Sequence, residues 1–266
     1  MASDAPVPST RVEFEAEFGE LADEWKTQQS ELAAQVSFED TQPWSFSAGD
    51  GGSVPLKYIG GVDISFIKGN NVDACAALVV LEYPSLEVVY EDMLMVELTL
   101  PYIPTYLAFR ETPALLLLIE RIRERAPDKL PQITFVDGNG VLHPRGFGLA
   151  SHFGVLTDLP MVGVAKSFLM LDGLSTAMVR DKFRETVEKA GDHYELVGAS
   201  GRLWGIAYKA TDDAVNPIYL SVGHQISLDT IVKLTRFLCK YRVPEPVRQA
   251  DLRSRQYLRD HSLEKK

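Results

Sequence analysis

Apolar residues recur at helical spacing through Phe14, Phe18, Leu21, Trp25, Leu32 and Val36, which predicts one amphipathic helix laid against the rest of the chain. Three runs then read as strands, at 58–67, 72–83 and 87–97, separated by Lys-Gly-Asn-Asn at 68–71 and Pro-Ser at 84–85. Turns that short force antiparallel neighbours. In the second run both parities are apolar (Val72, Ala74, Ala76, Leu78, Val80 against Cys75, Ala77, Val79, Leu81), so it belongs inside a sheet covered on both faces. Thr112-Pro113 predicts a helix start, a cap followed by a first-turn proline, and Leu115, Leu118, Ile119 and Ile122 continue it to Ala126-Pro127. Strand patterns at 133–136 and 161–165 follow, then a polar-faced helix over 175–190 and strands at 194–197, 203–208 and 218–222. Ser227 caps a helix carrying Leu228, Ile231, Leu234 and Leu238, and Pro244-Glu245-Pro246 opens a last basic helix. The order predicts an α/β fold: a mixed sheet, three antiparallel strands first and parallel strands after, with helices on both faces.

Residues 133–154 break this rhythm. The run Ile133, Thr134, Phe135, Val136 ends at Asp137, and Gly138, Asn139 and Gly140 follow before a short helix carrying Leu149, Ala150 and Phe153. A strand ending there delivers its acid to the sheet edge, beside backbone that a ligand can approach closely. The competing reading is a tight hairpin turn at Asp137-Gly138, although no alternating return strand follows.

Length and charge narrow the partners. Residues 1–10 are expected to be disordered, and 11–266 to form one domain: helix and linker at 11–48, a core at 56–225 and terminal helices at 226–262. No apolar run approaches bilayer length and no signal-peptide pattern opens the chain, so no membrane partner is expected and the cytoplasm and nucleus are the expected locations. The net charge of −10 is concentrated at the front, where residues 1–50 hold 11 acids and 2 bases. Residues 228–266 instead hold 10 bases and 5 acids, a stretch that either tracks phosphates or forms a solvated helix face. Cys75 and Cys239 are isolated, and neither a disulfide framework nor a zinc motif is signalled.

The candidate chemistry rests on acids in unexpected places. Asp63 lies mid-strand among apolar residues, where an ionised carboxylate costs several kcal/mol unless a cation meets it. If the strands bearing Asp63 and Asp137 are neighbours, their carboxylates converge and call for a hard divalent ion, magnesium or manganese. Glu111 is either a third ligand or an ordinary first-turn helix acid. Such a set suits phosphodiester hydrolysis, in which ions activate water and stabilise the leaving oxygen. Lys166 and His224, at element ends, are placed either for phosphate contact and proton transfer or for plain surface roles.

Several segments together resemble the endonuclease V family. They are Gly-Gly-Val-Asp-Ile-Ser at 60–65, Pro-Tyr-Ile-Pro at 101–104, Phe-Arg-Glu at 109–111, the long block at 136–154, Val-Gly-Val-Ala-Lys at 162–166, Ser-Val-Gly-His at 221–224 and Pro-Glu-Pro-Val-Arg-Gln-Ala-Asp at 244–251. The resemblance implies a ribonuclease H-like fold, Mg2+ or Mn2+ held by Asp63, Glu111 and Asp137, and Lys166 and His224 near the reacting phosphate. It implies a wedge of Pro101, Tyr102, Ile103 and Pro104, with Tyr102 filling the space left by an extruded base, and a base pocket lined by Gly138 and Gly140. The implied target is inosine, in single-stranded RNA for animal-type members and also in DNA. The implied cut is at the second phosphodiester bond on its 3′ side, leaving a 3′-hydroxyl and a 5′-phosphate. A backbone N–H facing the keto group of hypoxanthine would favour it over adenine. No organic cofactor is expected, and a monomer is. Asn139 stands where some members have histidine, and Gln225 where arginine is frequent. Two rival readings are a junction resolvase or slicer-type nuclease with the same metals, and a non-catalytic inosine-binding protein.

Overall fold

The structure, a computed structural model, describes residues 11–46 and 54–261, with side chains from residue 18 onward. The expectation for residues 1–10 falls outside the described residues, as does the end of the linker at 47–48. Helix α1 (Arg11–Ala33) leads to a short parallel pair, β1 (Trp44–Ser45) and β2 (Val54–Pro55). Then come β3 (Tyr58–Phe66), β4 (Asp73–Glu82), β5 (Glu87–Glu97), α2 (Leu107–Arg125), β6 (Ile133–Asp137), α3 (Leu149–Thr157) and β7 (Met161–Ala165). The chain continues through α4 (Thr176–Thr186), β8 (His193–Val197), β9 (Leu203–Tyr208), β10 (Ile218–His224), α5 (Leu228–Leu238) and α6 (Glu245–His261).

Eight strands form one sheet in the order β5-β4-β3-β6-β7-β10-β9-β8. The first three are antiparallel, and β6 and β7 run parallel to β3 because α2 and α3 supply the crossovers. The far half departs from the expectation: β10, β9 and β8 return antiparallel, joined by connections without a crossover helix. Strand β4 is wholly buried from Ala74 to Leu81. Its Ala74, Ala76, Leu78 and Val80 pack with α2 and α3, while Ala77, Val79 and Leu81 meet Ala250 of α6. That division puts helices on both faces, as the two apolar parities require.

One boundary differs instructively. Helix α2 starts at Leu107, so Pro113 lies inside it and Glu111 is not a first-turn residue. An interior proline costs about 3 kcal/mol through its missing N–H and its ring clash. Leu115, Leu118, Ile119 and Ile122 are each at most 1% exposed, and burying them at roughly 2 kcal/mol apiece outweighs that cost. Tertiary packing therefore overrides the local start signal.

Candidate active site

Parallel pairing of β3 with β6 sets Val62 beside Val136, so the next residues on both strands, Asp63 and Asp137, leave the sheet side by side. Asp63 is 7% exposed and accepts hydrogen bonds from Ser65 Oγ at 3.0 Å and Ser254 Oγ at 3.1 Å. Burial first, then the charge of Asp137 and a hydrogen bond shared with it, and then Asp251, raise its pKa to about 7; Lys166 opposes them. Glu111, 7% exposed inside α2, is raised to about 8 by burial first and then by Asp63, with Arg110 pulling the other way and Asp137 adding to the rise. The charge of Asp137 thus acts on both Asp63 and Glu111, and that of Asp63 on Glu111.

Their cation in this structure is Lys166, whose Nζ lies 2.5 Å from Asp137 Oδ2. Although burial disfavours the charged ammonium, the carboxylates of Asp137 and Asp63 leave its pKa raised. No basic side chain pairs with Asp63 or Glu111 among the described residues. Nor, among those residues, are any three histidines, cysteines or acids closed into a tight ligand set around one point. The donors still fit a hard divalent ion: Asp63, Glu111 and Asp137 present three carboxylates, and a single ammonium, Lys166, is paired with one of them.

Asp63 and Asp137 open into a cavity of about 380 Å³ lined also by Ser65, Phe66, Lys166, Asp251 and Arg255, and Glu111 is not in its wall. Asp251, Ser254 and Arg255 come from α6; Arg255 belongs to the basic stretch set out from the sequence, whereas Asp251 and Ser254 had no role there. A signal was available, since Asp251 closes a matching motif and Ser254 follows it by one helical turn. Glycine brings α6 close: a Cβ on Gly61 would sit 2.0 Å from the Pro246 carbonyl oxygen.

A second cavity, about 310 Å³, is lined by Tyr102, Pro104, Gly138, Asn139, His143, Phe147, Ser167 and Phe168, among others. It adjoins the acids through chain neighbours, because Asp137 and Lys166 line one cavity while Gly138 and Ser167 line the other. Of the predicted wedge, Tyr102 is 48% exposed at the rim, and Ile103 is instead an anchor, 1% exposed against Ala22, Trp25 and Tyr106. His143 is held neutral, its pKa pushed down to about 4 by burial and by Arg145.

Two expectations need correction. Gly140 does not line the neutral cavity: it is pressed against β10, where a Cβ would lie 2.0 Å from Val222 O, and its N–H donates to Ser221 Oγ at 3.0 Å. The Gly138 N–H is likewise spent on Val164 O at 2.9 Å, so neither amide is free to read a base edge. Asn139 Oδ1 is a buried polar atom without a hydrogen-bond partner among the described residues. His224 is not brought to the acids. It pairs with Met161 at the start of β7, whereas Asp137 pairs with Val164, a separation of about 10 Å along the strands at ~3.3 Å per residue. There its Nδ1 accepts from the Ser37 N–H at 3.2 Å, fastening the linker after α1.

Part of the basic tail is also occupied: Lys233 pairs with Asp229, Arg248 with Glu245, Arg253 with Glu91 and Arg255 with Asp251. Arg242 grips the carbonyl of Lys166 at 2.9 Å, steadying the lysine beside the acids.

The endonuclease V family model matches residues 31–252. This chain belongs to the endonuclease V family. It is 50% identical to mouse endonuclease V over 235 residues, spanning 88% of this chain and 69% of the mouse protein. The crystal structure of the catalytic domain of human endonuclease V superposes with a TM-score of 0.85 at 49% identity, covering 91% of this chain and 97% of that one. Endonuclease V from Ciona intestinalis, crystallised with a 24mer DNA containing an inosine followed by a ribo-adenosine, matches with a TM-score of 0.83 at 33% identity, covering 91% and 99%. Endonuclease V is a nuclease, so the reaction to be explained is hydrolysis of a phosphodiester.

Proposed function

We propose that this endonuclease V recognises inosine in a nucleic-acid strand and hydrolyses the second phosphodiester bond on its 3′ side, leaving a 3′-hydroxyl and a 5′-phosphate. Single-stranded RNA is its preferred substrate, with DNA as a second. The reading is carried by the adjacency of the two cavities. A neutral cavity beneath an exposed tyrosine suits an extruded base, and one residue away a cluster of acids suits the phosphate chemistry. The ribo-adenosine that follows inosine in the strand bound by the Ciona relative supports a ribose on the 3′ side.

Asp63, Glu111 and Asp137 would hold the ion, with Asp251 beside them. Carboxylate oxygens suit Mg2+ or Mn2+, and a bound ion supplies positive charge at the scissile phosphate and acidifies nearby water. Ser65 and Ser254 hydroxyls fix the orientation of Asp63, so its oxygens need not reorganise during the reaction. Lys166, held beside Asp137, would offer its ammonium to a phosphate oxygen of the bound strand. Tyr102 stacks where the base has left. His224 has no part in these steps.

The test compares single strands of RNA and DNA of one sequence, each carrying either inosine or adenosine at one position, at equal salt with Mg2+ or Mn2+. Cuts confined to the inosine strands, one nucleotide beyond the adjacent bond and faster in RNA, are expected. Equal cutting of adenosine strands would favour a general nuclease, and tight inosine binding with no cutting would favour a binding protein.

A further inference from the structure

Helix α1 precedes most of the matched family region, which begins at residue 31, yet its Gln29 is tied through Arg145 to the residue that follows the wedge. Gln29 is 1% exposed, and its Nε2 donates to the Phe147 carbonyl at 2.7 Å. Its Oε1 accepts from Arg145 Nε. The same guanidinium donates through Nη2 to both Thr105 O and Thr105 Oγ1, each at 2.6 Å, and lies 4.0 Å above the Tyr106 ring. Thr105 follows Pro104 directly and holds a left-handed φ of 70°, a conformation unfavourable for a threonine unless its surroundings fix it.

We propose that Gln29 is a positioning residue for the wedge, acting through Arg145 on Thr105. The proposal rests on the inosine-cutting function above. Three observations favour it. Among the described residues no carboxylate pairs with Arg145, so its directional donors serve neutral oxygens and fix geometry rather than balance charge. Gln29 uses both ends of its amide on one loop, donating to Phe147 O and accepting from Arg145, which fixes α1 against residues 145–147. Trp25, one turn earlier on α1, stacks on Phe109 at 4.9 Å and packs with Ile103, so the helix holds the wedge from behind as well. Tyr102 can then meet a strand in a conformation already set, which lowers the ordering cost of binding.

The experiment measures KM and kcat on an inosine strand, and amide hydrogen exchange without substrate, for wild type, Gln29→Leu, Gln29→Glu and Arg145→Lys in the full chain. For Gln29→Leu, KM rises about tenfold, because the Arg145 Nε donor and the Phe147 carbonyl lose their partners, while kcat stays within about twofold. Exchange quickens at Tyr106, whose N–H donates to Ile103 O, and not in β3 or β6. Gln29→Glu keeps the acceptor for Arg145 and restores KM toward wild type. Arg145→Lys loses the fork and repeats the Gln29→Leu pattern, which keeps the test open if Gln29→Leu fails to fold. Unchanged KM and exchange in Gln29→Leu, a fall in kcat without a change in KM, or a Gln29→Glu variant no better than Gln29→Leu would each overturn the proposal. A wild-type protein that leaves inosine strands uncut would overturn the function instead, and the exchange measurement would still decide whether Gln29 holds the wedge.

Discussion

The two adjoining cavities are built on opposite principles. The acid cluster is unfavourable to the metal-free fold: Asp63 and Glu111 are buried and raised to about 7 and 8, each under the charge of Asp137, with Asp251 acting on Asp63 as well. The neutral cavity is walled by a loop packed onto its own chain: the Gly138 N–H donates to Val164 O, the Gly140 N–H behind it donates to Ser221 Oγ, and Phe147 in the wall packs against His152. Where chemistry is to occur the fold stores repulsion, and where a base is to be received it stores order. Removing an acid from the first should therefore cost activity and gain stability, whereas crowding the packing behind the second should cost stability.

The largest effect is expected at Asp63. Asp63→Asn keeps an acceptor for Ser65 and Ser254 but removes the charge, so cleavage falls by more than about 10³-fold, in the range of a lost metal or oxyanion contact. Its folded-state pKa is raised above the ordinary carboxylate value, so ionised Asp63 burdens the metal-free fold above pH 7 and not below pH 4. Thermal unfolding of metal-free Asp63→Asn at pH 8 should show a higher midpoint than wild type, and a lower one would break the contrast.

Next comes Gly140→Ala, where the added Cβ meets Val222 O at 2.0 Å. Urea unfolding should show a loss of about 3 kcal/mol, the upper end of overpacking costs. Wild-type stability with selectively lost inosine binding would return Gly140 to the base pocket.

The smallest effect concerns His152, packed edge-on to Phe109 at 4.8 Å with its Nδ1 unpartnered among the described residues. Burial lowers its pKa to about 4. The unfolded chain takes up a proton near pH 6.5 and the folded one does not until about 4, so stability is lost as pH falls through that window. At pH 6 the loss is on the order of 1 kcal/mol. His152→Phe should flatten that part of the stability profile, and an unchanged slope would show that His152 protonates in the fold.

The acid cavity was legible in the sequence because a carboxylate within an apolar strand is an anomaly that periodicity exposes. Asp63 and Asp137 needed only the pairing of their strands, and Lys166 only its place at the end of β7. The second cavity was less legible. Gly138 and Gly140 stand two residues apart in one motif, and only the packing of β10 on Gly140 separates a pocket wall from a contact point. His224 misled for a related reason: it ends a strand, as Asp137 does, but β10 runs antiparallel to β7 and ends at the opposite edge. Helix α2 starts early because the apolar face buried against β4 outweighs a proline, a balance that a cap rule does not contain.

The central claim is that the converging acids await a divalent cation. Calorimetric titration of Mn2+ into wild type and Asp63→Asn at pH 7.5, repeated in buffers of different ionisation enthalpy, tests it without substrate. Wild type is expected to bind with release of protons from the raised carboxyls, and Asp63→Asn to lose the binding. Absence of Mn2+ binding by wild type, or equal binding by Asp63→Asn, would contradict it.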